Sequence, residues 1–300
     1  MANFFHRRRR LGTSESLASA FTLARWCGGL LILATAGACL ATSGRTIAGA
    51  APAPVRSASR PDPSNPALAK FDNAITLYVS FDHLPLIADM SGGDGRPANI
   101  SGLTVLEPGL YGRALLLGPL LRWPGISYKA AHNIDLSKPG ALAVWISAYH
   151  WRRNQNKTPY LFFVEVNDRG RVLGLARMGV FQNHEAVYAY AGVGGKVVSI
   201  IAGNSLRWRT GQWHLLVVNW RSEALALSLD GRLPGQTSLA PTGFPQAHGP
   251  PGCLVLHGGL SPLEPCLLDE LLVFNHPLSG REIQWLWRQG CLQARRGRRQ

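Results

Sequence analysis

From residue 74 onward the chain is cut into short runs in which side-chain character alternates with a period of two, and these runs are separated by turn-forming residues. They cover Ile75–Phe81, Ala114–Leu117, Ala141–Tyr149, Tyr160–Val166, Arg171–Arg177, Ala186–Tyr190, Val197–Ala202, Trp213–Trp220, Ala224–Leu229, Leu254–His257 and Leu268–Phe274. A period of two is the signature of strands, whose successive side chains point to opposite faces. The breaks carry matching chemistry: Ser91-Gly92-Gly93-Asp94-Gly95, Asn167-Asp168-Arg169-Gly170, Gly192-Val193-Gly194-Gly195 and Asp230-Gly231. Many short strands, tight turns and almost no helical periodicity predict an all-β fold, built as a two-sheet antiparallel sandwich. The 33 Gly and 20 Pro fit such a chain.

Two runs predict how strands sit in the layers. In Ala141–Tyr149, Leu142, Val144, Ile146 and Ala148 form a core face. Ala143, Trp145, Ser147 and Tyr149 form the other, readable as a concave binding surface or as a plain outer face. Trp213–Trp220 is apolar on both faces, as expected of a central strand. One short helix is predicted to close the domain. Ser279 is its N-cap with Glu282 three residues on, Ile283, Leu286 and Trp287 share a face, and Gly290 marks its end.

Four stretches occur in an order that resembles laminin-G-like (concanavalin A-like) jelly rolls. They are Leu77–Asp82 with its Phe81-Asp82, Tyr111-Gly112-Arg113-Ala114-Leu115, Trp213-His214 with Asp230-Gly231, and Leu268-Asp269-Glu270-Leu271 with Leu278-Ser279 and Glu282-Ile283. The resemblance spans residues 74–288 and implies an antiparallel jelly-roll sandwich. It also implies a binding module directed at glycans or cell surfaces, in a family whose members bind glycans or proteins, stand beside enzymes and in part carry calcium. Fold alone does not fix function.

The expected organisation is a signal peptide or signal anchor over 1–50, a Pro/Ala/Ser-rich linker over 51–72, the jelly-roll domain over 73–288 and a basic tail over 289–300. Arg7–Arg10 precede an uncharged run, Trp26–Gly44, and Ala48-Gly49-Ala50 offers a cleavage site. A run of this length also allows an uncleaved anchor, and Ala36–Cys39 allows a lipid-modified form. Each reading places the body outside the cytoplasm: periplasmic, envelope-anchored or secreted. The net charge of +14 sits mostly at the ends: residues 1–50 hold six Arg and one acid, and residues 291–300 hold four Arg and no acid. A nucleic-acid partner would need a basic face on the domain itself, so none is expected. Membrane contact is expected only through the N-terminal segment, and only where that segment is uncleaved.

Of five cysteines, Cys253, Cys266 and Cys291 lie in the body. An export compartment allows one disulfide, for which Cys253–Cys266 is the candidate across a Gly/Pro-rich loop; three free thiols is the alternative. No catalytic signature stands out. The Glu-x-Asp-x-x-Glu strand of sandwich glucanases is absent. Asp269 and Glu270 are neighbours, and in a regular strand neighbours face opposite sides. A non-catalytic module is therefore expected, with glycan hydrolysis as the lesser alternative.

The candidate ligand-binding residues are Tyr149, His150, Trp151, Arg152, Asn154 and Asn156, an aromatic and polar loop running off a strand end together with Arg153 and Gln155. Aromatic rings stack on sugar faces and amides reach hydroxyls; the bland reading is an ordinary solvated loop. Phe181–Glu185 with Tyr188 and Tyr190, and Asn204 with Arg207, Trp208 and Arg209, are two further clusters of this kind. For calcium, the candidates are Asp82 and Asp269, whose oxygens come from the first and last strands; the alternative is carboxylates bonded to backbone N–H. Asn99-Ile100-Ser101 and Asn156-Lys157-Thr158 match N-glycosylation acceptors. The partner expected is a glycan or cell-surface ligand, with a protein as the second candidate, the alternative function being an envelope scaffold without a sugar site.

Overall fold

The structure, a computed structural model, describes residues 55–56, 65–118, 120–149, 162–180, 184–193, 196–204, 208–221, 224–232, 250–258 and 265–297. Residues 1–50 and 51–300 separate into two units, and the signal peptide or anchor expected in the first lies outside the described residues. The second unit runs β1 (Val55–Arg56), α1 (Pro66–Phe71), β2 (Ile75–Val79), β3 (Met90–Ser91), β4 (Pro97–Gly102), β5 (Leu106–Pro108), β6 (Arg113–Leu117), β7 (Leu121–Lys129), β8 (Gly140–Ala148), β9 (Phe162–Asp168), β10 (Arg171–Val180), β11 (His184–Val193), β12 (Lys196–Asn204), β13 (Trp213–Trp220), β14 (Leu225–Leu229), β15 (Cys253–Gly258), β16 (Cys266–Phe274) and α2 (Gly280–Gly297).

The strands form two antiparallel sheets, as the periodicity predicts. The first has the order β1-β3-β2-β16-β8-β13-β14, with β6 also on β16 and β5 beyond it; the second has the order β12-β11-β10-β9-β15-β7-β4. Leu142, Val144, Ile146 and Ala148 of β8 and Leu216 and Val218 of β13 face the core between the sheets, against Val164, Val166, Leu254 and Leu256 of the second sheet. Each of the eleven runs read from the sequence falls on a strand, residues 160 and 161 of the fourth lying outside the described residues. β7 escapes that reading because Pro124 and Gly125 interrupt it. Proline is tolerated there because the register with β4 shifts between Leu121 and Ile126.

The other face of the first sheet is roofed by helix. Trp145 of β8 stacks on Trp287 of α2 with ring centroids 5.4 Å apart, and Phe71 of α1 meets Phe274 and Trp285 edge-on. An aromatic pair of this kind adds about 0.5–1.5 kcal/mol beyond area burial. This excludes Trp145 as part of an open binding surface: the residue is 4% exposed, under α2.

Two boundaries move. The linker expectation for 51–72 gives way at Asn65, whose side chain caps α1 by accepting from the Ala67 amide at 2.8 Å, with Pro66 in the first turn. The basic tail begins later than residue 289, because α2 continues to Gly297. Gly290 does not stop the helix. It is buried, and a Cβ there would lie 2.1 Å from the Trp145 ring, so its smallness serves a close approach. The N-terminal end is as predicted: the Glu282 carboxylate accepts from the Ser279 amide at 2.7 Å and the Ser279 hydroxyl from the Glu282 amide at 3.3 Å.

The Cys253–Cys266 pairing is corrected: the two are not joined to each other, and among the described residues neither they nor Cys291 form a disulfide. Cys253 lies in the second sheet between Lys129 and Asn167, whereas Cys266 lies in the first between Leu117 and Ala148. Each is held by its own ladder in a different layer. Among the described residues, no helix is long and apolar enough to cross a membrane.

Candidate functional site

The last strand, β16, is the organising element. One edge pairs with β8 over Cys266–Asp269 and again over Leu272–Phe274. The other pairs with β6 over Cys266–Leu268 and with β2 over Leu271–Phe274. At the switch between neighbours the strand bulges, and Glu270 adopts φ +53. A bulge adds a residue and shifts the alternation. Leu268 and Leu271 both enter the inter-sheet core, so Asp269 and Glu270 both turn to the helix-covered face. The expectation that these neighbours point apart is therefore corrected.

Both carboxylates are fully buried. Asp269 Oδ2 accepts from the amides of Leu110 at 2.7 Å and Tyr111 at 3.2 Å. Glu270 Oε2 accepts from the Tyr78 hydroxyl at 2.8 Å and from the Asn65 side-chain amide. Among the described residues, one oxygen of each, Asp269 Oδ1 and Glu270 Oε1, has no partner. Burial pushes both carboxyls well above the usual range, and for Asp269 the Glu270 charge adds to it. Burial also raises the Tyr78 phenol.

Asp82 completes this seam. Its Oδ1 accepts from the Arg113 amide at 2.7 Å, at the start of β6. The two residues considered for calcium thus grip the same loop, Leu110–Arg113, by its backbone amides. Among the described residues, no group of three or more His, Cys, Asp or Glu side chains is placed to hold a metal ion. A third tie joins β13 to the turn after β14. His214 Nδ1 lies 2.8 Å from Asp230 Oδ2, Asp230 Oδ1 accepts from the Leu215 amide at 3.1 Å, and Trp208 stacks on the imidazole at 4.0 Å. Trp208 of the third aromatic cluster is therefore buried packing.

The proposed ligand loop starts at the far end of β8. Tyr149 is half-buried at the rim; its amide donates to the Pro265 carbonyl at 3.2 Å and its hydroxyl lies 3.4 Å from Glu107 Oε1. His150, Trp151, Arg152, Asn154 and Asn156 lie outside the described residues. At the opposite end of β8, about 26 Å away by strand rise, a cavity of about 250 Å³ is lined by Thr76, His132, Asn133, Lys138, Arg169 and Trp220, among others. Its two cations are engaged, Lys138 with Asp135 at 3.4 Å and Arg169 with Asp168 at 3.6 Å.

Sequence reasoning missed a row across the outer face of the second sheet. Register places Ser127, Val255, Glu165, Gly174 and Tyr190 in line on successive strands. The Tyr190 ring lies over Gly174, where a Cβ would sit 2.1 Å away, and its hydroxyl donates to Glu165. Glu165 and Tyr190 are buried. His257, also buried and two residues from Val255, is pushed down to about 4 by burial, so its imidazole is neutral at pH 7. Only the glycine within a strand hinted at this close approach.

No protein-family profile matches the chain, and no curated protein matches it by sequence. Solved structures do. One described as "Cell entry of botulinum neurotoxin type C is dependent upon interaction with two ganglioside molecules" superposes with a TM-score of 0.54 at 12% identity, over 74% of this chain and 53% of that one. The binding domain of botulinum neurotoxin DC in complex with rat synaptotagmin II gives 0.52 at 12% identity, over 73% and 52%. The binding domain of Paraclostridial Mosquitocidal Protein 1 gives 0.53 at 10% identity, over 72% and 52%. The chain spans about half the length of these structures. At this identity the likeness is one of fold, a β-sandwich of jelly-roll type.

Proposed function

We propose that the body is an exported, non-catalytic binding module of laminin-G-like type that takes a carbohydrate or cell-surface ligand at the rim beyond β8, with Tyr149, His150, Trp151, Arg152, Asn154 and Asn156 as its contacts. The observation that carries the reading is the division of the molecule's faces. The outer face of the first sheet is closed by α1 and α2, and the buried pair Asp269–Glu270 is out of reach of any substrate. The central strand instead delivers Tyr149, half-exposed, to an aromatic and amide-rich loop. The solved structures of like fold support binding as the role, since their descriptions name gangliosides and a protein partner.

A glycan array probed with the protein, with and without calcium, tests this. Binding that is lost in Trp151→Ala and Tyr149→Ala, with an unchanged thermal melt, is the expected result. Silence on the array at millimolar sugar rejects the sugar reading. A second reading, a protein-docking module of the cell envelope, is favoured by an apolar spot at the sheet edge. The Leu103 amide bonds to the Leu120 carbonyl there, and the two side chains are 61% and 45% exposed. Pull-down of an envelope protein by wild type, and not by Leu103→Asp, would favour it.

A further inference from the structure

We propose that the solvent face of α2 is a docking surface for an anionic phospholipid bilayer. The helix is fixed to the sheet along one side by Ile283, Leu286 and Gly290. At 100° per residue, Arg281, Arg288 and Arg295 fall within about 40° of one another on the opposite side, since a seven-residue spacing drifts by only about 20°. All three are exposed, and so is the adjoining Arg296. The stripe runs about 21 Å along the helix axis. Among the described residues no carboxylate pairs with any of these arginines; the one acid of the helix, Glu282, is held in the first turn by Ser279 and His276. Lys70 of α1, over the Trp285 ring at 4.3 Å, adds a cation to the same layer.

What selects a bilayer over a soluble polyanion is Leu292. It is 48% exposed and lies on the stripe between Arg288 and Arg295. A polysaccharide sulfate or carboxylate has no use for an exposed leucine. A bilayer interface takes both, the guanidinium groups at the phosphates and the apolar side chain just below them. This proposal is independent of the rim site, because phosphatidylglycerol carries no glycan.

The test is co-sedimentation of the full chain with vesicles of phosphatidylcholine alone or with admixed phosphatidylglycerol. The N-terminal segment is common to all variants, so differences between them report on α2. Wild type is expected to prefer the anionic vesicles, less so as salt rises. In R281Q/R288Q/R295Q that preference should fall on the order of 100-fold, from roughly fivefold per arginine. R281K/R288K/R295K should keep it, which separates charge from folding. Leu292→Ser should weaken vesicle binding and leave binding to dextran sulfate unchanged. Equal preference in the wild type and the glutamine variant overturns the proposal. So does arginine-dependent binding to dextran sulfate with Leu292→Ser inert on vesicles, which would assign the stripe to a soluble polyanion.

Discussion

The Asp82 carboxylate occupies the place where Gly112 would carry a side chain. A Cβ on Gly112 would stand 2.0 Å from Oδ1, the same oxygen that accepts from the Arg113 amide. The segment after β2 and the start of β6 are thus joined through a glycine that must be both left-handed and bare.

Gly112 and Gly170 share φ +72, yet nothing lies within 4 Å of a Cβ at Gly170. Gly170→Ala should lose only the left-handed cost, about 1 kcal/mol. Gly112→Ala should lose on the order of 3 kcal/mol, with the Asp82 clash added, a fall in Tm of roughly 6–12 °C. Equal losses by calorimetry would mean that Asp82 does not crowd the site.

A second pair of glycines divides α2. Gly290→Ala drives a Cβ into the Trp145 ring, and the overpacking, about 1–3 kcal/mol, should exceed the gain in helix propensity of about 1 kcal/mol. Gly297→Ala meets nothing within 4 Å and should be neutral within about 0.5 kcal/mol. Urea titrations compare the two; a stabilising Gly290→Ala would count against the Trp145 contact.

Burial raises the Asp269 and Glu270 carboxyls above their unfolded values near 4. Their contribution to stability is then full below about pH 4 and lost as pH rises through the folded values. Glu270→Gln keeps an acceptor for Tyr78 and Asn65 and cannot ionise. Relative to wild type it should gain stability from pH 5 to pH 8. A difference in Tm that stays flat over this range would mean the Glu270 carboxyl is not raised.

His257 has the opposite sign. Its folded pKa, lowered to about 4, lies below the unfolded 6.5, so its contribution holds above pH 6.5 and is lost as pH falls toward 4. His257→Gln should lessen the acid-side loss of stability between pH 6.5 and pH 4.5 without altering the alkaline limb. Acid titration followed by tryptophan fluorescence reads this directly.

The cysteines of the body give a chemical check. Under non-reducing denaturation, the body should yield three alkylated cysteines, at Cys253, Cys266 and Cys291, by peptide mass. A Cys253–Cys266 cross-linked peptide would contradict their placement in separate sheets.

The layers were legible because alternation is a local property. Leu142, Val144 and Ile146 announce a core face without knowledge of their partners, and Ser279 and Glu282 announce a helix start within one turn. What stayed hidden depends on contacts distant in sequence. Gly290 reads as a helix stop until Trp145 is known to lie beneath it. Asp269 and Glu270 read as opposed until β16 is seen to change neighbours between β6 and β2. The four stretches resembling laminin-G-like domains prove to be joints. Asp82 and Asp269 hold the Leu110–Arg113 loop, and His214 holds Asp230. Such residues mark the fold and leave the ligand unspecified, whereas the rim loop that would specify it has no periodicity from which to read its shape.

The pairing of Ile75 with Phe274 has a mechanical consequence. The chain enters β2 and leaves β16 at the same end of one antiparallel pair, with α1 and α2 lying outside those points. A tether pulling on the two flanks would peel the helices away and then open the β2–β16 ladder rung by rung, instead of shearing its hydrogen bonds together. The body should therefore yield at low force in an optical trap however high its melting temperature, and a high shear-like rupture force would show that the load enters elsewhere.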